Sequence, residues 1–133
     1  MPLKTAPSNV YSKRTTLSAC SSTFDPLGLL TPFLVPFKVF IQDIWKKEYQ
    51  LDTPFDQEDY QRWDELVQQF KHPLPPIPRF IASANRNTTY ELAVFGDGSQ
   101  RLFACCAYLI CRSPSTTSSQ LIMAKSLLAT AKL

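Results

Sequence analysis

Glycine is scarce in this chain: 3 glycines stand against 11 prolines in 133 residues. That ratio argues against a fold built on many tight glycine turns and implies stiff connections between elements. Histidine occurs once, as His72, with no serine or cysteine partner identifiable from the sequence, so it is not assigned a catalytic role. The four cysteines, Cys20, Cys105, Cys106 and Cys111, lack a metal-ligand spacing. Adjacent Cys105 and Cys106 would point to opposite faces of a strand and could not turn toward one ion. Free thiols in a reducing, intracellular and cytoplasmic setting are the simplest expectation. Met1 to Ser22 holds no unbroken apolar core, so no signal peptide is read there. The apolar stretch from Leu27 to Trp45 is interrupted by Pro32, Pro36, Lys38, Gln42 and Asp43, so it does not read as a membrane span. An excess of one charge is missing too. A formal net charge of +3 is too small to name a partner.

What is present suits a globular chain of one domain or two small ones. Hydrophobic residues make up 44% and aromatics 12%. Lys4, Lys13 and Arg14 make the beginning basic, whereas Asp52 to Glu65 is acidic. Lys13 and Arg14 could neutralise phosphates in a nucleic-acid-binding module, or simply belong to an ordinary solvated surface.

Residues 1–12 read as a loose arm. Leu17, Cys20 and Phe24 then fall at helical spacing within a first helix over Lys13 to Thr23, which Asp25-Pro26 ends. Gly28 permits a backbone conformation that a side chain would oppose, making a sharp corner between helices. Pro36 to Gln50 reads as a second helix with Phe37, Phe40, Ile41, Ile44, Trp45 and Tyr49 on one stripe. Thr53 as N-cap and Pro54 at the first position open a third helix, in which Asp56 to Glu58 suit the helix dipole. Tyr60, Trp63, Leu66, Val67 and Phe70 form its apolar face, and Trp45 and Trp63 are expected to be buried between the two helices.

From His72 to Pro78 four prolines favour extended geometry: a semi-rigid linker over 72–79, or a ligand for a proline-reading domain. Beyond it the period becomes strand-like. Strands are expected over Thr88 to Phe95, Leu102 to Cys111 (buried on both faces) and Gln120 to Ala124, with a turn at Gly96 to Gln100 and a polar loop at Ser113 to Ser119. The fold class is therefore α+β, three helices over 13–71 followed by an antiparallel three-stranded meander within 80–133.

Asp97 is the residue singled out for chemistry. A carboxylate at a strand end between Gly96 and Gly98 suits Mg²⁺, which prefers hard oxygen ligands. Gly96-Asp97-Gly98-Ser99 equally suits a plain hairpin turn.

Two runs carry a family resemblance. Phe24-Asp25-Pro26-Leu27-Gly28-Leu29-Leu30-Thr31-Pro32, preceded by Lys13-Arg14, together with Phe95-Gly96-Asp97-Gly98-Ser99, resembles the junction between reverse transcriptase and ribonuclease H in Pao/BEL-type retrotransposon polyproteins. Leu121-Ile122-Met123-Ala124-Lys125-Ser126 is similar to the third strand of that nuclease. The resemblance spans Lys13 to Leu133. It implies a helical connection beside the polymerase and then an incomplete ribonuclease H-like meander, with Asp97 as the first catalytic, Mg²⁺-binding carboxylate. It also implies an RNA–DNA hybrid as partner of the intact polyprotein. Gly96 and Gly98 depart from the family's usual neighbours of this aspartate. The second carboxylate comes, in the family, after the point corresponding to Leu133, so the expectation is a fragment without catalysis or cofactor of its own. An uncovered sheet face would then favour self-association. Two alternatives are a non-catalytic protein-interaction module and an aspartic peptidase. The latter would need paired Asp-Thr/Ser-Gly loops, which neither Asp25 nor Asp97 supplies.

Overall fold

A computed structural model describes residues 10–72, 76–78, 80–82 and 85–129. Three helices, α1 (Lys13–Ser21), α2 (Thr31–Lys46) and α3 (Gln57–Phe70), precede three strands, β1 (Thr89–Gly98), β2 (Leu102–Arg112) and β3 (Thr117–Leu128). The strands form one antiparallel sheet in the order β1-β2-β3, so the fold is α+β as the sequence implies. The chain divides into two compact units. One holds the helices, and the other combines residues 26–31 with the sheet.

In the helical unit, Ser12 caps α1 reciprocally with Thr15: the Thr15 amide donates to Ser12 Oγ, and the Ser12 amide to Thr15 Oγ1 at 2.9 Å. The face that α1 buries differs from the expected stripe. Lys13, Thr16 and Ala19 are buried, while Leu17 and Phe24 are exposed. Thr16 can be buried because its hydroxyl donates to the Ser12 carbonyl at 2.9 Å, so no polar group is left unsatisfied. The expected arm of residues 1–12 ends sooner than its composition suggests. Residues 1–9 lie outside the described residues, but Tyr11 accepts the Phe55 amide at 2.9 Å and stacks on Tyr60 at 4.6 Å.

α2 starts at Thr31, more than a turn before the expected Pro36. Pro32 occupies the first turn, where a missing N–H costs nothing. Pro36 lies inside the helix and removes one bond to the preceding turn. The buried residues Phe37, Phe40 and Ile44 recur at steps of three and four. Trp45 lies one position past Ile44, about 100° round the helix. It is 45% exposed rather than buried, with the Lys13 ammonium 5.4 Å from its ring.

α3 begins three residues later than expected, capped by Asp56 and not Thr53. Trp63 is the centre of the unit, 2% exposed, with Phe37 at 5.4 Å, Phe40 at 5.3 Å and Tyr11 at 6.3 Å. The Asp59 amide donates to Asp56 Oδ1 at 2.9 Å, and this bond chiefly holds the Asp56 carboxyl below the usual carboxylate range. A depressed folded-state pKa stabilises above the unfolded value and is lost as pH falls through the folded one. Asp56→Ala is therefore expected to lower the melting temperature at neutral pH, with the gap to wild type narrowing below about pH 4. A gap that stays constant from pH 7 to 2 in thermal melts would remove the cap from that account.

In the sheet unit β1 pairs with β2 from Thr89↔Arg112 to Gly98↔Phe103, and β2 with β3 from Leu102↔Leu128 to Arg112↔Thr117. β1 runs to Gly98, so Gly96 and Asp97 belong to the strand and the turn is displaced toward Arg101. Ser99 Oγ accepts the Arg101 and Leu102 amides there, both at 3.2 Å. Thr117 to Ser119, expected in a polar loop, instead pair with Arg112, Cys111 and Ile110. Cross-strand pairing overrides their turn propensity. β2 is not buried on both faces: only Cys111 is buried, while Phe103 and Cys105 are exposed. By register Tyr90, Leu92, Val94, Phe103, Met123 and Leu127 share one face, and they remain 47–64% exposed.

Candidate functional site

Asp97 is the penultimate residue of β1, opposite Ala104 of β2, which in turn faces Ser126 of β3. Cross-strand partners share a face, so these three form a row of small and polar side chains across the sheet. Asp97 is exposed, and its Oδ1 accepts the amide of Gly98 at 2.8 Å. Two positions back on the same face, Phe95 meets Tyr108 edge-on at 6.0 Å. On its own strand Gly96 and Gly98 flank the carboxylate, so no side chain projects from the opposite face at those two positions.

Chemically, the row offers one accessible carboxylate. Glu91, the other acid of β1, lies six residues back on the same face, roughly 20 Å along a strand. It is committed to Arg112 through bonds of 3.2 and 3.3 Å. Among the described residues no three His, Cys, Asp or Glu side chains come together as a metal site. Asp97 alone can accept hydrogen bonds or supply one oxygen ligand.

Lys13 and Arg14, the two cations considered for nucleic acid, have intramolecular partners. Lys13 is buried, and its ammonium donates to the Lys47 carbonyl at 2.9 Å while facing Trp45. Arg14 stays at the surface in a two-pronged pair with Asp52, at 2.6 and 2.9 Å. The guanidinium holds the Asp52 carboxyl below its ordinary range. His72 is exposed at the end of the helical unit. Pro73 to Pro75 and Arg79, part of the expected linker, lie outside the described residues.

The sequence did not disclose a charged cluster on α3. Asp59 is fully buried and receives Lys47 Nζ at 2.6 Å and the Tyr49 hydroxyl at 3.0 Å, with Arg62 at 3.5 Å. Asp43 accepts Arg62 at 3.2 Å. Burial is the main cause that pushes Tyr49 up to about 12, and the bond to Asp59 raises the Lys47 ammonium. Asp59 is enclosed while its cations reach the surface, and the network joins loop to helix, which is a structural task. The only advance signal was an aspartate inside an otherwise apolar-spaced helix.

The described helices include none long and apolar enough to cross a membrane. Cys20 is partly buried within the helical unit, and burial pushes its thiol up to about 11, so it is a poor nucleophile at neutral pH. A family model described as Pao retrotransposon-like RNaseH-like domain matches residues 12–133. No curated protein matches the chain.

Proposed function

Because the chain belongs to the family of Pao retrotransposon-like RNaseH-like domains, we propose that it works as part of such an element's polyprotein, joining reverse transcriptase to ribonuclease H. The helical unit is the connection, and the sheet is the opening of the nuclease fold. The observation that carries this reading is the position of Asp97. It stands exposed at the end of the first strand of a β1-β2-β3 antiparallel meander, with glycines on either side. RNA–DNA hybrid is the substrate class assigned to the intact polyprotein. Arg14 is the better phosphate ligand of the two cations considered, since it can exchange Asp52 at the surface. Lys13 would have to leave its buried contacts.

Hydrolysis of a phosphodiester by two Mg²⁺ ions needs several convergent carboxylates. The residues described here do not fit that pair of ions: Asp97 stands alone on its strand end, and Glu91 is distant and bonded to Arg112. No hydrolytic step is therefore assigned to the isolated chain. Incubating the purified full chain with an RNA–DNA hybrid and Mg²⁺ is expected to give no cleavage beyond that of Asp97→Asn. Cleavage by the wild type that this substitution abolishes would show a complete site and overturn the reading of inactivity.

A further inference from the structure

The residues between α1 and α2 do more than turn the chain. Pro26–Thr31 group with the sheet rather than with the helices on either side of them. The Leu27 carbonyl accepts the Ala124 amide of β3 at 2.9 Å. Along a strand in an antiparallel sheet, successive N–H groups point alternately to its two edges. β2 occupies one edge of β3, so this N–H lies on the other, outer edge.

Gly28 makes the approach possible. Its φ is +69°, in the left-handed region that glycine enters without a steric penalty. A Cβ added there would lie 1.7 Å from the Ala124 carbonyl oxygen and 2.7 Å from its carbon. Both the conformation and the space demand glycine. The Thr31 amide then donates to the Gly28 carbonyl at 3.0 Å and closes the turn. Just before Ala124 the β2–β3 register slips: Ala107 faces Met123 but Tyr108 faces Leu121, leaving Ile122 as the extra residue of a bulge. A bulge bends and twists its strand, so the clasp lies next to a bend in β3.

An outer strand offers unpaired N–H and C=O groups to any other strand that arrives. We propose that Leu27-Gly28 is an edge guard, which occupies the outer side of β3 at Ala124 and prevents another chain from pairing there. It differs from self-association through the apolar sheet face, which needs no backbone pairing. In this account the glycine of the inter-helix corner serves the sheet as well as the corner.

Hydrogen exchange on the full-length chain tests it. Gly28→Val is expected to speed exchange of the Ala124 amide roughly tenfold, the factor for one lost hydrogen bond. Amides of the central strand β2 should keep their protection, and the variant should associate with rising concentration in sedimentation. Ala124→Pro removes the outward donor and obstructs strand addition, and proline is tolerated where an edge-strand N–H faces away from the ladder. Adding it to Gly28→Val should therefore abolish the association. Unchanged Ala124 exchange in Gly28→Val overturns the guard. So does equal loss of protection across β2, which would make Gly28 a requirement of the whole fold. Association that persists in the double variant overturns it as well, because it would run through the apolar face.

Discussion

Trp63→Ala is expected to destabilise the helical unit by about 3–5 kcal/mol, the range for truncating a buried large aromatic. The indole is 2% exposed, and Phe37, Phe40 and Tyr11 all lie against it, so the space it leaves is walled by three rings from two segments. Rigid aromatic walls cannot collapse into such a cavity without losing their own edge contacts. A loss of this size approaches the whole stability of a small unit. Trp45→Ala is the natural comparison. That ring is 45% exposed and faces the Lys13 ammonium, so the effect should be several times smaller. Urea denaturation of the full chain, followed by far-ultraviolet circular dichroism, separates the two. Similar midpoints for both variants would mean that Trp63 is not the centre of the unit.

The second large effect is expected at Asp59. Removing one partner of a buried ion pair leaves charge and hydrogen-bonding groups uncompensated, typically at a cost of about 3–5 kcal/mol. Asp59 has no exposed surface, but the Lys47 side chain that meets it at 2.6 Å is 39% exposed and can turn to water. Arg62 also keeps Asp43. The Tyr49 hydroxyl loses an acceptor at 3.0 Å. Asp59→Ala should consequently fall lower, at about 2–3 kcal/mol. Lys47→Met in the Asp59→Ala background should recover part of the loss, since both charges are then gone and the methionine stem can pack. A double variant no more stable than Asp59→Ala alone would show that Lys47 hydrates freely and that the cost comes from Tyr49 and the cavity.

Both effects lie in the helical unit, while Asp97 and Gly28 lie in the other. Loss of Trp63 or Asp59 is thus a change in stability, separable from any change at Asp97. If Asp97→Asn alters hybrid binding without shifting the denaturation curve, its part is local to the end of β1.

Much of this was legible in the residues. Apolar spacing at three and four foretold α2 and α3, including Phe37, Phe40, Ile44, Trp63 and Val67 as the inward positions. Alternation and an apolar run foretold β1 and β2 and their antiparallel order. The paired motifs foretold the family, which the match over residues 12–133 shows. These features are local, written in periods of 3.6 and 2 or in contiguous residues, so one stretch of chain suffices to read them. Element ends were less legible. Thr53 and Asp56 are both good caps, and α3 starts after Asp56, where Phe55 packs against Phe40 and Tyr49 and its amide bonds the Tyr11 carbonyl, contacts that no local pattern announces. The burial of polar Lys13 and Thr16 in place of Leu17 was decided by partners far along the chain or one turn back.

The amino-acid sequence by itself determined the class of the fold, the order of its six elements, the aromatic composition of the helical core and the placing of one carboxylate at the end of a strand. Only the tertiary structure decided that Asp59 would be buried with its cations, that Trp45 would stay half in water, and that Leu27-Gly28 would belong to the sheet. The physical reason is common to all three. Each depends on which faces and segments pack together in three dimensions, and that packing leaves no period in the sequence that would announce it.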